Sequence, residues 1–161
     1  MKRAQLISLT AVILALAAVL LCSCSKNNLP ITREQAEKFV SDISTSTNIF
    51  SEEMIQLGDN SVSNVFSFLD DSPWKVCYAG ISGVTADELI VAEAPSTEKL
   101  DEYCTKINRY IENRISQFSG YAPEETPKLE SALVIKDGTY LIYIVCADVQ
   151  AAQQMFNDIK K

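Results

Sequence analysis

Residues 132–147 read ALVIKDGTYLIYIVCA, two β-prone runs on either side of Asp137-Gly138. A two-residue Asp-Gly loop between such runs is a strong short-range signal for a hairpin, because both loop positions need a left-handed backbone. Tyr140 to Ala147 is apolar at every position. A strand of that kind is either covered on both faces or keeps one as a contact surface. Downstream, Asp148 caps a helix that turns Ala152, Met155, Phe156 and Ile159 inward, with Lys160 and Lys161 against its C-terminal dipole. Upstream, Leu100, Tyr103, Cys104, Ile107, Ile111, Ile115 and Phe118 form one stripe at helical spacing. This predicts a helix over 97–118, capped by Ser96 and closed by Gly120 in a left-handed C-cap. Tyr121 to Leu129, with two prolines, reads as a loop or one short turn.

Further upstream, Trp74–Ile81 and Glu88–Ala94 flank a turn at Ser82-Gly83-Val84-Thr85 and predict a second hairpin, with Trp74, Val76 and Tyr78 on one face. Thr32 and Gln35 form a capping box ahead of Ala36, Phe39, Val40 and Ile43, a helix over about 33–45. Residues 49–72 stay open: Gly58-Asp59-Asn60-Ser61 reads as a turn, and Val62 to Leu69 fits a short helix or a short strand. The order is an N-terminal helix, then strand-strand-helix-strand-strand-helix. It predicts an α+β domain, a mostly antiparallel sheet of two hairpins with helices packed on it.

The first 24 residues have a different character. Lys2 and Arg3 precede an unbroken apolar run, Ala11 to Leu21, and small Ser23 stands directly before Cys24. A charged start, an apolar stretch of 11 residues and a small residue at the junction describe a secretory signal peptide. Leu21-Cys22-Ser23-Cys24 resembles the lipobox of bacterial lipoproteins, which implies a diacylated Cys24 as residue one of the mature chain. Cys22 is a weaker attachment point, with bulky Leu21 before it. A plain membrane anchor fits less well, since Gln5, Ser8 and Thr10 interrupt the apolar stretch and no basic cluster follows it. The expected organisation is a leader over 1–23, a lipidated N-terminus and tether over 24–31, and one globular domain over 32–161. Two acyl chains hold a protein stably where one does not, so the expected location is the extracytoplasmic face of the cell membrane.

Composition limits what such a domain does. Once Lys2 and Arg3 leave with the leader, 12 basic residues face 21 acidic ones, a net charge of −9. That sign repels nucleic acid and anionic headgroups, so no nucleic-acid partner is expected and lipid contact falls to the acyl chains. The chain contains no histidine, which removes Ser-His-Asp and Cys-His chemistry and the usual near-neutral base. Cys77, Cys104 and Cys146 each fall on an apolar pattern. Three buried free thiols are the favoured reading, ahead of one disulfide or a reactive thiol. No CxxC spacing points to zinc, and no cofactor is expected.

Several phrases have a family likeness. Gly80 to Ala94 (GISGVTADELIVAEA), Tyr121-Ala122-Pro123 after a long helix, and Lys136-Asp137-Gly138-Thr139-Tyr140 resemble the family called domain of unknown function 4358. The resemblance spans roughly residues 45–160 together with the leader. It implies a small lipoprotein, mainly of Gram-positive anaerobes, with the same order of elements and no assigned activity, so no functional residue carries over.

Ser96-Thr97-Glu98-Lys99 matches Ser-x-x-Lys, the nucleophile motif of penicillin-binding proteins and class A β-lactamases. The companion motifs are missing from the sequence, and a capping role explains Ser96. Asp59, Ser61, Ser63 and Asp70 are spaced somewhat like a calcium loop, but Asn64 stands where that loop needs glycine. Acidic pairs at 52–53, 70–71, 87–88 and 124–125 read as solvated turns. Neighbours on a strand point to opposite faces, and Asp87-Glu88 is the pair to watch because a turn enters a strand there. Trp74, Glu88 and Tyr121 are the candidate binding residues; no catalytic and no metal residue is assigned. The expected role is a non-catalytic module that contacts an envelope protein or a wall component. A small-ligand or peptide module using an exposed sheet face is the alternative, and a minor envelope hydrolase comes last.

Overall fold

The computed structural model describes residues 29–161. The leader expected over 1–23 and the attachment point expected at Cys24 lie outside the described residues. The chain forms α1 (Arg33–Ser44), β1 (Met54–Gln56), α2 (Asp59–Val65), β2 (Trp74–Gly80), β3 (Glu88–Glu93), α3 (Thr97–Tyr121), α4 (Thr126–Glu130), β4 (Leu133–Asp137), β5 (Tyr140–Val145) and α5 (Val149–Ile159), with 3-10 turns at Ser67–Leu69 and Pro123–Glu125. It is a mixed α+β fold in which one antiparallel sheet carries helices on both faces.

The expected hairpins form, and they meet in the middle. The sheet order is β1-β2-β3-β5-β4, with β3 and β5 paired from Glu88↔Val145 to Glu93↔Tyr140. Strand β5 is buried at all six positions, which settles the two options its sequence leaves. Leu141, Tyr143 and Val145 pack with Ile90 and Ala92 under α3, while Tyr140, Ile142 and Ile144 pack with Leu89 and Val91 under α1 and α5. Neither face of β5 is exposed. Each aliphatic side chain so enclosed contributes about 1.5–3 kcal/mol relative to exposure, which concentrates stability at the β3–β5 centre.

Local signals account for most helix ends. The Thr32 hydroxyl accepts from Gln35 N at 3.2 Å while Gln35 Oε1 accepts from Thr32 N at 2.9 Å, the reciprocal pair expected of a capping box. Ser96 and Asp148 cap α3 and α5 by accepting from Lys99 N and Ala151 N. The second hairpin turns one residue later than expected: Asp137 still belongs to β4 and pairs with Tyr140, the two-residue loop is Gly138-Thr139, and only Gly138 is left-handed, with φ +61°.

Other expectations change as well. Gly58 to Ser61 is no turn: Gly58 is the N-cap of α2, whose first residue is Asp59. Gly120 does not close α3. The helix runs through it to Tyr121 and ends at Ala122, whose φ is −146°. Pro123 follows and has no N–H to continue the ladder. The open segment also supplies a fifth strand, since β1 adds to β2 from Met54↔Gly80 to Gln56↔Tyr78. Among the described residues no helix is long and apolar enough to cross a membrane.

Candidate functional site

The β2–β3 turn delivers two carboxylates to the start of β3, and both are buried: Asp87 is 1% exposed and Glu88 6%. They are not the solvated turn pair the sequence suggests. Strand alternation sends them apart, and each meets a different set of partners.

Glu88 points under α3. Its Oε1 accepts from the Tyr110 hydroxyl at 2.7 Å and lies 3.1 Å from Arg114 Nη2; its Oε2 accepts from the Tyr143 hydroxyl at 3.0 Å. Tyr110, Arg114 and Phe118 are spaced four apart, so they share one flank of the helix. The Arg114 guanidinium lies 4.5 Å from the centre of the Phe118 ring and 5.9 Å from that of Tyr110. Burial raises the pKa of the Glu88 carboxyl, while Arg114 and the two tyrosine hydroxyls pull it back down. The same burial raises Tyr110 and Tyr143 far above an ordinary phenol. Two hydroxyl donors and one guanidinium thus converge on a single buried carboxylate, while Arg114 Nε is buried without a hydrogen-bond partner.

Asp87 faces the other way. Its Oδ2 accepts from Ser51 N at 2.6 Å and its Oδ1 lies 3.3 Å from Lys128 Nζ. Lys128 also donates to Ser51 Oγ at 2.6 Å and to Glu125 Oε2 at 2.7 Å, and Glu125 Oε2 accepts from Ala86 N at 2.8 Å. Glu52 completes the arrangement, with Thr85 Oγ1 at 2.5 Å, Ser82 Oγ at 2.8 Å and Ser82 N at 3.1 Å. The Thr85 hydroxyl above all, with both Ser82 donors, holds the Glu52 carboxyl below its ordinary value. Carboxylates from three separate segments thus tie the β2–β3 loop to the 50s segment and to α4.

A serine beside a lysine invites comparison with a Ser-Lys nucleophile pair. A general base needs a free lone pair. An ammonium has three N–H donors and no acceptor, and Lys128 spends its three on Ser51, Glu125 and Asp87. These contacts hold Ser51, Glu125 and Asp87 together. Ser96 and Lys99, the sequence's own Ser-x-x-Lys, do not pair side chain to side chain: Ser96 caps α3, and Lys99 Nζ lies 2.7 Å from Glu102 and 3.4 Å from Asp71. In the calcium-like stretch Asp59 begins α2 and Ser63 Oγ donates to Asp70 Oδ1 at 2.8 Å. Among the described residues no three His, Cys, Asp or Glu side chains gather as a metal group.

The three candidate binding residues do not assemble. Trp74 pairs with Glu93 at one end of the β2–β3 hairpin, beneath the Arg33 guanidinium at 4.8 Å, while Glu88 pairs with Ala79 at the other end. Tyr121 is 57% exposed at the end of α3, its ring 4.7 Å from that of Phe118. Sequence reasoning missed Arg114, Lys128 and Ser51. Arg114 left a weak trace, a cation on the flank of an apolar stripe; Lys128 left none. Beside Ser51 opens a cleft of about 560 Å³, lined by residues 44–47 and 50–54 and rich in hydroxyls.

A family model described as Domain of unknown function (DUF4358) matches residues 51–146. The chain belongs to that family. No curated protein and no solved structure matches it. The match in this DUF4358 member starts at Ser51 and takes in both hairpins, the Glu88 network and Lys128.

The thiols of this DUF4358 domain are unbridged: Cys77 and Cys146 are buried and Cys104 is half-buried. Burial pushes Cys77 up to about 12 and Cys146 up to about 11. Thiolate is the reactive form. Cys104 is therefore expected to take up a maleimide in the native protein ahead of Cys77 and Cys146, which should react only on unfolding. Peptide mapping after a timed pulse reads this directly, and early modification of Cys77 would contradict the packing.

Proposed function

We propose that the chain is a lipoprotein held on the extracytoplasmic face of the membrane through a diacylated Cys24, and that its globular domain is a non-catalytic interaction module for an envelope protein or a wall component. The observation that carries this reading is the junction Leu21-Cys22-Ser23-Cys24 behind a basic start and an apolar run. The domain's chemistry is consistent with it. Its buried carboxylates, its buried tyrosine hydroxyls and Lys128 are engaged with one another, an economy suited to a rigid surface.

The test is metabolic labelling with a clickable fatty acid. Wild type should carry the label and stay with membranes, and Cys24→Ala should lose the label. A mature N-terminus that retains the leader, or lacks the mass of a diacylglyceryl group, would refute the anchor. Cross-linking in intact cells then asks about the partner. One reproducible adduct is expected, and its absence over repeated trials would count against an interaction role.

A further inference from the structure

We propose that the tethered domain keeps one orientation at the membrane, with the Asp137-Gly138 hairpin tip toward the bilayer and the β2–β3 loop, with the cleft of residues 44–54, away from it. This inference rests on the lipoprotein reading above and adds a direction to it.

The direction comes from how the chain enters the domain. Ile31 is 4% exposed, and its N–H donates to Asp137 Oδ1 at 2.8 Å in a buried hydrogen bond. The other oxygen of Asp137 pairs with Lys160 from the end of α5. Pro30 lies against Gly138, where an added Cβ would come within 2.5 Å of the Pro30 Cβ. Arg33 then pairs with Glu93 and donates to the Tyr140 hydroxyl at 3.4 Å. The entry point is thereby pinned to one end of the sheet, where the β4–β5 turn, the end of β3 and the start of β2 meet.

Between Cys24 and Pro30 stand only Ser25, Lys26, Asn27, Asn28 and Leu29. At roughly 3.3–3.6 Å per residue this piece reaches at most about 20 Å. Strand β2 alone separates Trp74 from Gly80 by about 20 Å, and the β2–β3 loop projects beyond it. To lay that loop on the lipid, the tether would have to run the length of the sheet and further, which exceeds its reach. Leu29, 71% exposed, adds an apolar side chain next to the entry point.

The chain's single tryptophan makes the test direct. Trp74 lies at the anchored end, and Val84, 63% exposed, lies in the far loop. In the full lipidated Val84→Trp protein, placed in nanodiscs carrying a headgroup spin label, the two indole N–H signals report on both ends of one molecule. Trp74 is expected to broaden several-fold more than the introduced indole. Inserting about 30 Gly/Ser residues before Leu29, a flexible coil much longer than the native piece, should erase the difference. Equal broadening with the native tether, or a difference that survives the insertion, would overturn the orientation and leave the anchor standing. A protein that fails to stay with the nanodisc and lacks the diacylglyceryl mass would overturn the anchor, and the orientation with it.

Discussion

Glu88→Ala should lose about 3–5 kcal/mol of folding stability, the cost of breaking a buried ion pair by removing one partner. The substitution leaves the Arg114 guanidinium and the Tyr110 and Tyr143 hydroxyls facing a hole where an ion pair and two hydrogen bonds converged. Glu88→Gln should be milder, because an amide oxygen still accepts from one tyrosine. Urea unfolding at fixed pH measures both, and a loss below 1 kcal/mol for the alanine variant would show that the network contributes little. The two proteins should also diverge with pH. Burial sets the Glu88 carboxyl above its ordinary value despite Arg114 and the tyrosines, so the folded chain keeps that proton to a higher pH than the unfolded chain does. Its contribution is complete below the unfolded value of about 4.3 and fades as pH rises through the folded one. Wild type should therefore lose stability relative to Glu88→Gln as pH climbs out of the ordinary carboxylate range. A constant difference would mean that Glu88 does not titrate differently in the two states.

Lys128→Met should cost about 3 kcal/mol, the low end for a broken buried pair, since Lys128 keeps 17% of its side chain exposed while Asp87 keeps none. The loss should also be local. Ser51 N and Ala86 N each donate to a carboxylate that Lys128 steadies, so their exchange with solvent deuterium should accelerate before that of the β3–β5 centre. Lys136→Met, which removes an exposed pair with Asp101, should be nearly silent beside it. Uniform acceleration across the domain would contradict the local role of Lys128.

The elements legible in the sequence are those whose cause is local. The glycine of Asp137-Gly138 marks its own hairpin, though the loop is Gly138-Thr139, the stripe from Leu100 to Phe118 sets its helix face, and Thr32 with Gln35 closes its own box. What stayed hidden depends on distant partners. Strand β1 has three residues, too few for a period of two to show, and exists because β2 accepts it. Helix α2 has seven residues, and only Val62 of them is buried. Gly120 misled because a helix passes through glycine at modest cost when its end is set elsewhere, here just ahead of Pro123. At the candidate site the pattern flagged the position of Asp87-Glu88 but not its burial, because Arg114 and Lys128 arrive from 26 and 41 residues away.

Helices α1 and α5 together roof one face of the sheet, laying Phe39, Ile43, Ala152 and Phe156 over Leu89, Val91, Ile142 and Ile144. Both helices fall outside the matched stretch 51–146. A fragment trimmed to those borders would put four aliphatic side chains that are now wholly enclosed into water, side by side on a flat slab. Such a piece should clump in solution, whereas one that runs from the proline-isoleucine entry to the closing lysines should stay dispersed.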